Sequence, residues 1–244
     1  MGMVARGFRR ERNRVVVTGI GVLAPNGTGI DACWKSLVAG ASGIGPITLF
    51  DASKLKSRIA GEVKNFNPAD FFEPGMKARR MARHTQLAYA ATMLALRDAG
   101  FDTNNLELPS PVPVIVGVST SALDVIEGVF HHVTGARPDR ISPFALGASK
   151  PQAAANVIAD RIGARASSAT ISTACPSGLD AVATGAAMIM RGEAELAIAG
   201  GADAPITPLA MASFAAGGLS SFRNSYPNTA SRPVSLTRVS GCLS

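Results

Sequence analysis

Residues 168–178, Ser-Ala-Thr-Ile-Ser-Thr-Ala-Cys-Pro-Ser-Gly, decide how the rest of the chain is read. Thr170, Ile171 and Thr173 predict a strand, because β-branched side chains suit a pleated, packed surface. From Leu179 onward, apolar residues recur at Val182, Ala186 and Ile189 with the spacing of a helix. Pro176 suits the first helical position, where its missing N–H costs nothing. Cys175 therefore stands at a strand-to-helix joint. Unpaired amides and the positive end of a helix dipole favour the thiolate, which is the nucleophilic form of cysteine. A lone cysteine is more often a small packed hydrophobe. Here the strand–Cys–Pro–Ser–Gly–helix setting favours the nucleophile.

Composition bounds what surrounds this joint. A length of 244 residues fits one large domain or two small ones. Hydrophobic residues at 47% with aromatics at 5% describe a core of Ala, Val, Ile and Leu. No run of about 18 uncharged apolar residues occurs, which argues against a membrane span. Of the net charge of +7, five arginines (Arg6, Arg9, Arg10, Arg12, Arg14) against Glu11 supply +4. Residues 1–13 thus read as a basic, solvated tail or a misassigned start, and too short and serine-poor for a transit peptide. No basic stripe interleaved with aromatics follows, so nucleic acid is not an expected partner. Cys33, Cys175 and Cys242 are far apart and odd in number, which suggests neither a disulfide frame nor a zinc site. A reducing cytoplasm fits.

Outward from the joint, strands and helices alternate. Residues 14–20 read as a buried strand. The following Gly19-x-Gly21-x-x-Ala24 superficially matches a dinucleotide fingerprint. Pro25-Asn26-Gly27 makes a turn where that fingerprint needs a helix, so a nucleotide site is rejected. Residues 28–39 predict a helix with Trp34, Leu37 and Val38 toward the core and Cys33 as packing; 40–75 predict short surface elements. Residues 77–99 predict one long helix, 112–117 a buried strand, and 122–133 a helix closed by His131 and His132. Residues 145–162 predict a helix, 195–200 a strand and 208–216 a helix. That order indicates an α/β layer structure with parallel strands.

The residues at the joint carry a resemblance. Thr173-Ala174-Cys175-Pro176-Ser177-Gly178 resembles the nucleophile motif of the β-ketoacyl-acyl-carrier-protein synthases, in the thiolase-like superfamily. Arg14 to Gly21 resembles that family's first strand, and Ile141-Ser142-Pro143-Phe144 the segment before its central helices. Ala199-Gly200-Gly201-Ala202-Asp203 resembles the strand and turn after the nucleophile helix, and Ser231-Arg232-Pro233 the next landmark. The resemblance implies a five-layer α-β-α-β-α fold made of two similar halves. Residues 14–244 would supply the first half and the helix after Cys175 the central layer. Gly178, Ala181, Ala183, Gly185, Ala186 and Ala187 suit a helix packed on all sides. By residue matching, Thr120, Phe144, Ala145, Ala210 and Phe214 would line an acyl pocket. Arg79, Arg80, Arg140 and Arg223 would hold the acidic acyl carrier protein, although Asp139 stands where a basic residue is common. A homodimer paired near residues 166–171 is also implied, with no metal or organic cofactor.

The reaction implied is a decarboxylative Claisen condensation of an acyl thioester with a malonyl thioester in fatty acid biosynthesis. Cys175 would take the acyl group, with its own amide among the oxyanion donors. The family's two assisting histidines and its lysine lie in the second half of the fold. His84, His131 and His132 match none of those motifs and read as solvated or helix-end residues. Val234-Ser235 replaces the usual Phe-Asp, and Val239 follows Arg238 where Asp is common. The resemblance places the family's glycine-rich strand just beyond Ser244, as expected of a partial gene or truncated record, so the implied function is that of the complete protein and not of this chain alone. Rival readings are a polyketide ketosynthase, a non-catalytic partner subunit, and a Cys–His hydrolase using His131 or His132.

Overall fold

The structure, a computed structural model, describes residues 14–109, 111–164 and 166–232. Two short hairpins come first, β1 (Leu23–Ala24) with β2 (Gly27–Thr28), and β3 (Ile44–Pro46) with β4 (Ile59–Gly61). Helix α1 (Ile30–Val38) lies between them, and α2 (Arg83–Asp98) follows. Then come β5 (Val114–Gly117), α3 (Leu123–Thr134), α4 (Ala145–Ala148), α5 (Ala153–Arg161) and β6 (Ser168–Ile171). Helix α6 (Ser177–Met190), β7 (Ile198–Gly201) and α7 (Pro208–Ala216) complete the order.

The core is a parallel sheet in the order β6-β5-β7. Strand β5 is buried along its whole length, which is why it reads as an uninterrupted apolar run. Its side chains alternate. Val114 and Val116 join Tyr89 and Met93 of α2 and Ala154, Ala155 and Ile158 of α5 in one core. Ile115 points the other way, toward Gly185 of α6. Each of these three β5 side chains contributes roughly 1.5–3 kcal/mol by leaving water. The layers are therefore α2/α5, sheet, α6, the first three of the five that the thiolase-like fold implies.

Several expectations are corrected. Residues 14–20 join no strand among the described residues and are largely exposed, Val17 at 76%. Their end is held by α2 instead. The Ile20 amide donates to Asp98 Oδ2 at 2.8 Å, and a Cβ on Gly21 would fall 1.8 Å from the Ala91 carbonyl oxygen. Trp34 (66% exposed), Leu37 and Val38 face outward, and only Cys33 of α1 is buried. The long helix over 77–99 is broken, because Met81 and Ala82 are extended and a separate 3-10 turn spans Ala78–Arg80. Gln86 Nε2 binds the carbonyls of Ala78 and Met81, and the Arg83 amide finds its cap on Asp124 of α3. The helix over 145–162 is split between α4 and α5 around Pro151, which lacks the N–H that a continuous helix needs. Residues 1–13 and the departures at 234, 235 and 239 lie outside the described residues.

His84 does lie at a helix end, in the first turn of α2, but it is fully buried and not solvated, and among the described residues its Nδ1 has no partner. Burial pushes its pKa below the usual 6.5, against the opposing pull of the Asp124 and Asp203 carboxylates. The folded chain then binds fewer protons than the unfolded chain on acidification. The contribution of His84 to stability is therefore full well above pH 6.5 and falls by up to about 1.4 kcal/mol per pH unit below it, until the folded-state pKa is passed. Chemical denaturation at several pH values should show this slope in the natural protein and a flatter one in His84→Leu. Equal slopes would mean that other groups set the acid sensitivity.

Candidate active site

Cys175 occupies the tight turn between β6 and α6, at the carboxyl edge of the sheet. Ala174 turns the chain with φ 63°, a left-handed conformation that a non-glycine residue adopts only when its neighbours enforce it. Ser177 is the enforcing residue. Its buried hydroxyl accepts from the Thr173 amide at 2.9 Å and donates to the Ala174 carbonyl, while its amide donates to the same carbonyl at 3.1 Å. Thr173 Oγ1 donates to Asp180 one turn into α6, fixing the other flank. Pro176 is the residue before the first helical turn, one place earlier than expected.

Glycines set the height of this turn above the sheet. A Cβ on Gly117 would lie 2.2 Å from the Ser177 carbonyl carbon, and one on Gly201 would lie 2.7 Å from Gly178 Cα. Backbone thus rests on backbone where α6 crosses the ends of β5 and β7. The result presents Cys175 to solvent. Among the described residues its amide meets no acceptor, so that donor is available to an incoming oxygen. Among the described residues the exposed side continues along α6 through Leu179 (71%) and Val182, and α6 packs on its sheet face.

The acyl-pocket candidates fall on elements bordering α3. Thr120 precedes α3, and its hydroxyl donates to Asp203 Oδ1 at 2.7 Å. Ala145 and Ala210 are buried, on α4 and α7, while Phe214 is half-buried and Phe144 exposed. Arg80 joins two of the expected groups, because its guanidinium lies 4.1 Å over the Phe144 ring. Arg79 shares the turn with Arg80; Arg140 ends another turn beside Asp139 at 3.9 Å, and Arg223 lies 5.8 Å over Tyr226. A cleft of about 360 Å³ on the β3–β4 hairpin is lined by Phe50, Asp51, Arg58 and Asn224 and includes none of these candidates. Among the described residues no group of three or more His, Cys, Asp or Glu is placed to hold a metal, and no helix is long and apolar enough to cross a membrane.

Sequence reasoning placed Ser177 in the motif but not as the clamp of its turn, and it missed Asp180, Gly117 and Asp203 as parts of the candidate site. The residue pairs Val116-Gly117 and Gly200-Gly201, each ending a strand, were the signal for the close helix seat.

Residues 12–240 match the family described as Beta-ketoacyl synthase, N-terminal domain. A 3-oxoacyl-[acyl-carrier-protein] synthase 2 from Synechocystis sp. is 36% identical over 228 residues, which is 93% of this chain and 54% of that protein. The protein of the same name from Vibrio harveyi is 38% identical over 91% of this chain and 53% of its own length. Among solved structures, a type II PKS acyl-carrier protein in complex with its ketosynthase bound to the hexaketide is 29% identical. It has a TM-score of 0.74 and covers 87% of this chain and 51% of that one. The chain spans about half the length of the relatives it matches. From a thiol at the joint of β6 and α6 to a match over nearly all of its residues, this chain belongs to the beta-ketoacyl synthase family, as its N-terminal domain.

Proposed function

We propose that this chain carries the nucleophile of a 3-oxoacyl-[acyl-carrier-protein] synthase acting in fatty acid biosynthesis. The observation that carries the reading is an exposed Cys175 with an unengaged amide at the head of α6. The thiolate attacks the carbonyl carbon of an acyl thioester, and the Cys175 amide donates to the oxygen that becomes negative. Collapse of the tetrahedral intermediate expels the carrier thiolate and leaves the acyl group on Sγ. A malonyl thioester then loses carbon dioxide, and its carbanion attacks the acyl-cysteine to give the 3-oxoacyl thioester and free Cys175. Thr120, Phe144, Ala145, Ala210 and Phe214 receive the acyl chain. The site works in the cytoplasm in a homodimer joined along β6, whose outer edge is unpaired among the described residues.

Arg79, Arg80, Arg140 and Arg223 would steer the acidic acyl carrier protein. Replacing Arg79 and Arg80 together by Glu is expected to weaken carrier binding roughly tenfold at low ionic strength, with the difference shrinking as salt is raised. Titration of a fluorescent acyl carrier protein at two salt concentrations measures this. Salt-independent, unchanged binding would remove these arginines from the docking surface.

A polyketide ketosynthase is the second reading, favoured by the similarity to the polyketide ketosynthase complex. Offering fatty acyl and polyketide starter thioesters to the protein and measuring acyl transfer to Cys175 decides between them. Saturated fatty acyl groups should load fastest; exclusive loading of polyketide starters would favour the second reading.

A further inference from the structure

We infer that Asp203 is a positioning residue that sets the shape of the acyl-receiving wall beside Cys175, an assignment that rests on Thr120 belonging to that wall. The ladder between β5 and β7 ends with the Ala202 amide on the Gly117 carbonyl at 3.0 Å. Beyond it a side chain takes over. Asp203 Oδ2 accepts from the Ser119 amide at 2.8 Å, and Oδ1 accepts from the Thr120 amide and the Thr120 hydroxyl, both at 2.7 Å. A single carboxylate thus satisfies three donors from a segment more than 80 residues away. Hydrogen bonds to an ionised acceptor are about twice as strong as neutral ones.

The segment so held is conformationally demanding. Ser121 has φ 56°, and its hydroxyl donates to the Ser149 carbonyl at 3.3 Å, between α4 and α5. Gly117 is in register with both Ile171 and Gly201. Ser119, Thr173 and Asp203 therefore each stand two residues past one row of the sheet, and Cys175 leaves from the same edge. Releasing Asp203 frees residues 119–121 without touching the turn that Ser177 clamps around Cys175. An acyl chain should feel the loss, whereas the thiol itself should not.

The test compares the full chain with Asp203→Ala and Asp203→Glu. Cys175 is alkylated with iodoacetamide, which needs no wall, and with N-dodecyl iodoacetamide, which does; amide exchange is followed at Ser119 and Thr120. In Asp203→Ala the dodecyl rate is expected to fall roughly tenfold relative to the iodoacetamide rate, since small misplacements of a binding wall are costly. Both amides should lose protection in the same variant, and Asp203→Glu should restore part of both effects. Unchanged amide protection overturns the assignment, and so does an equal fall with both reagents, which would mark Asp203 as merely structural. A natural protein showing no preference for the dodecyl reagent overturns the acyl-wall reading itself. That failure is recognised because the amides would still open in Asp203→Ala.

Discussion

Cys175→Ser is expected to lower acyl-enzyme formation by roughly 10⁴-fold or more, the scale on which removal of a covalent nucleophile acts. A thiol reacts without an attached base, because a few per cent of it is thiolate near pH 7 and sulfur is intrinsically nucleophilic. A serine hydroxyl needs a base within hydrogen-bond reach. Among the described residues no such base is bonded to residue 175, and the nearest carboxylate along the chain, Asp180, is engaged by Thr173. The fold should not notice the change: Cys175 is exposed, and surface substitutions usually move stability by less than about 0.5 kcal/mol. Mass spectrometry after incubation with an acyl thioester, beside a thermal melt, gives both numbers. Persistent loading in Cys175→Ser would move the chemistry to another group.

The second large effect is structural. Gly117→Val should destabilise the protein by about 3 kcal/mol, because the added carbons fall on backbone that has no free space to yield. The nearest atoms to a Cβ there are the Ser177 carbonyl carbon and oxygen, both 2.2 Å away, and the Gly178 nitrogen at 2.4 Å. None is the flexible tip of a side chain. The helix head must rise from the sheet or β5 must sink into the α2/α5 core, and both separate packed surfaces. For a chain of this size the Tm should drop by roughly 6–12 °C. Gly201→Ala, whose added carbon meets Gly178 Cα at 2.7 Å, should show a smaller loss. Calorimetry of the two variants checks the order. A Gly117→Val variant that melts with the natural protein would mean that α6 does not sit on β5 as described.

Much of the architecture was legible where one segment carries its own pattern. The strand, turn and helix around Cys175 follow from β-branched residues, a proline and a helical apolar period, and β5, α3 and α7 were equally plain. Expectations failed where a distant partner decides. Val15 to Val17 have every preference for a strand yet find no sheet among the described residues. Ala82 ends one element and starts another because Gln86 and Asp124 reach back to cap the break. The apolar face of α1 matches a core-facing helix, but Trp34 meets solvent. The candidate site divides the same way. Cys175 stands out through its neighbours in the chain, whereas the Gly117–Ser177 seat and the Asp203–Thr120 bonds join segments 60 or more residues apart. Spacing along the chain does not reveal such pairs.

The most direct measurement is to incubate the protein with a fatty acyl thioester of acyl carrier protein, digest it and locate the added acyl mass. Sγ attack at the head of α6 predicts the acyl group on the peptide containing Cys175, with Cys33 and Cys242 unmodified. Acylation confined to Cys33 or Cys242, or absent from every cysteine, would contradict it.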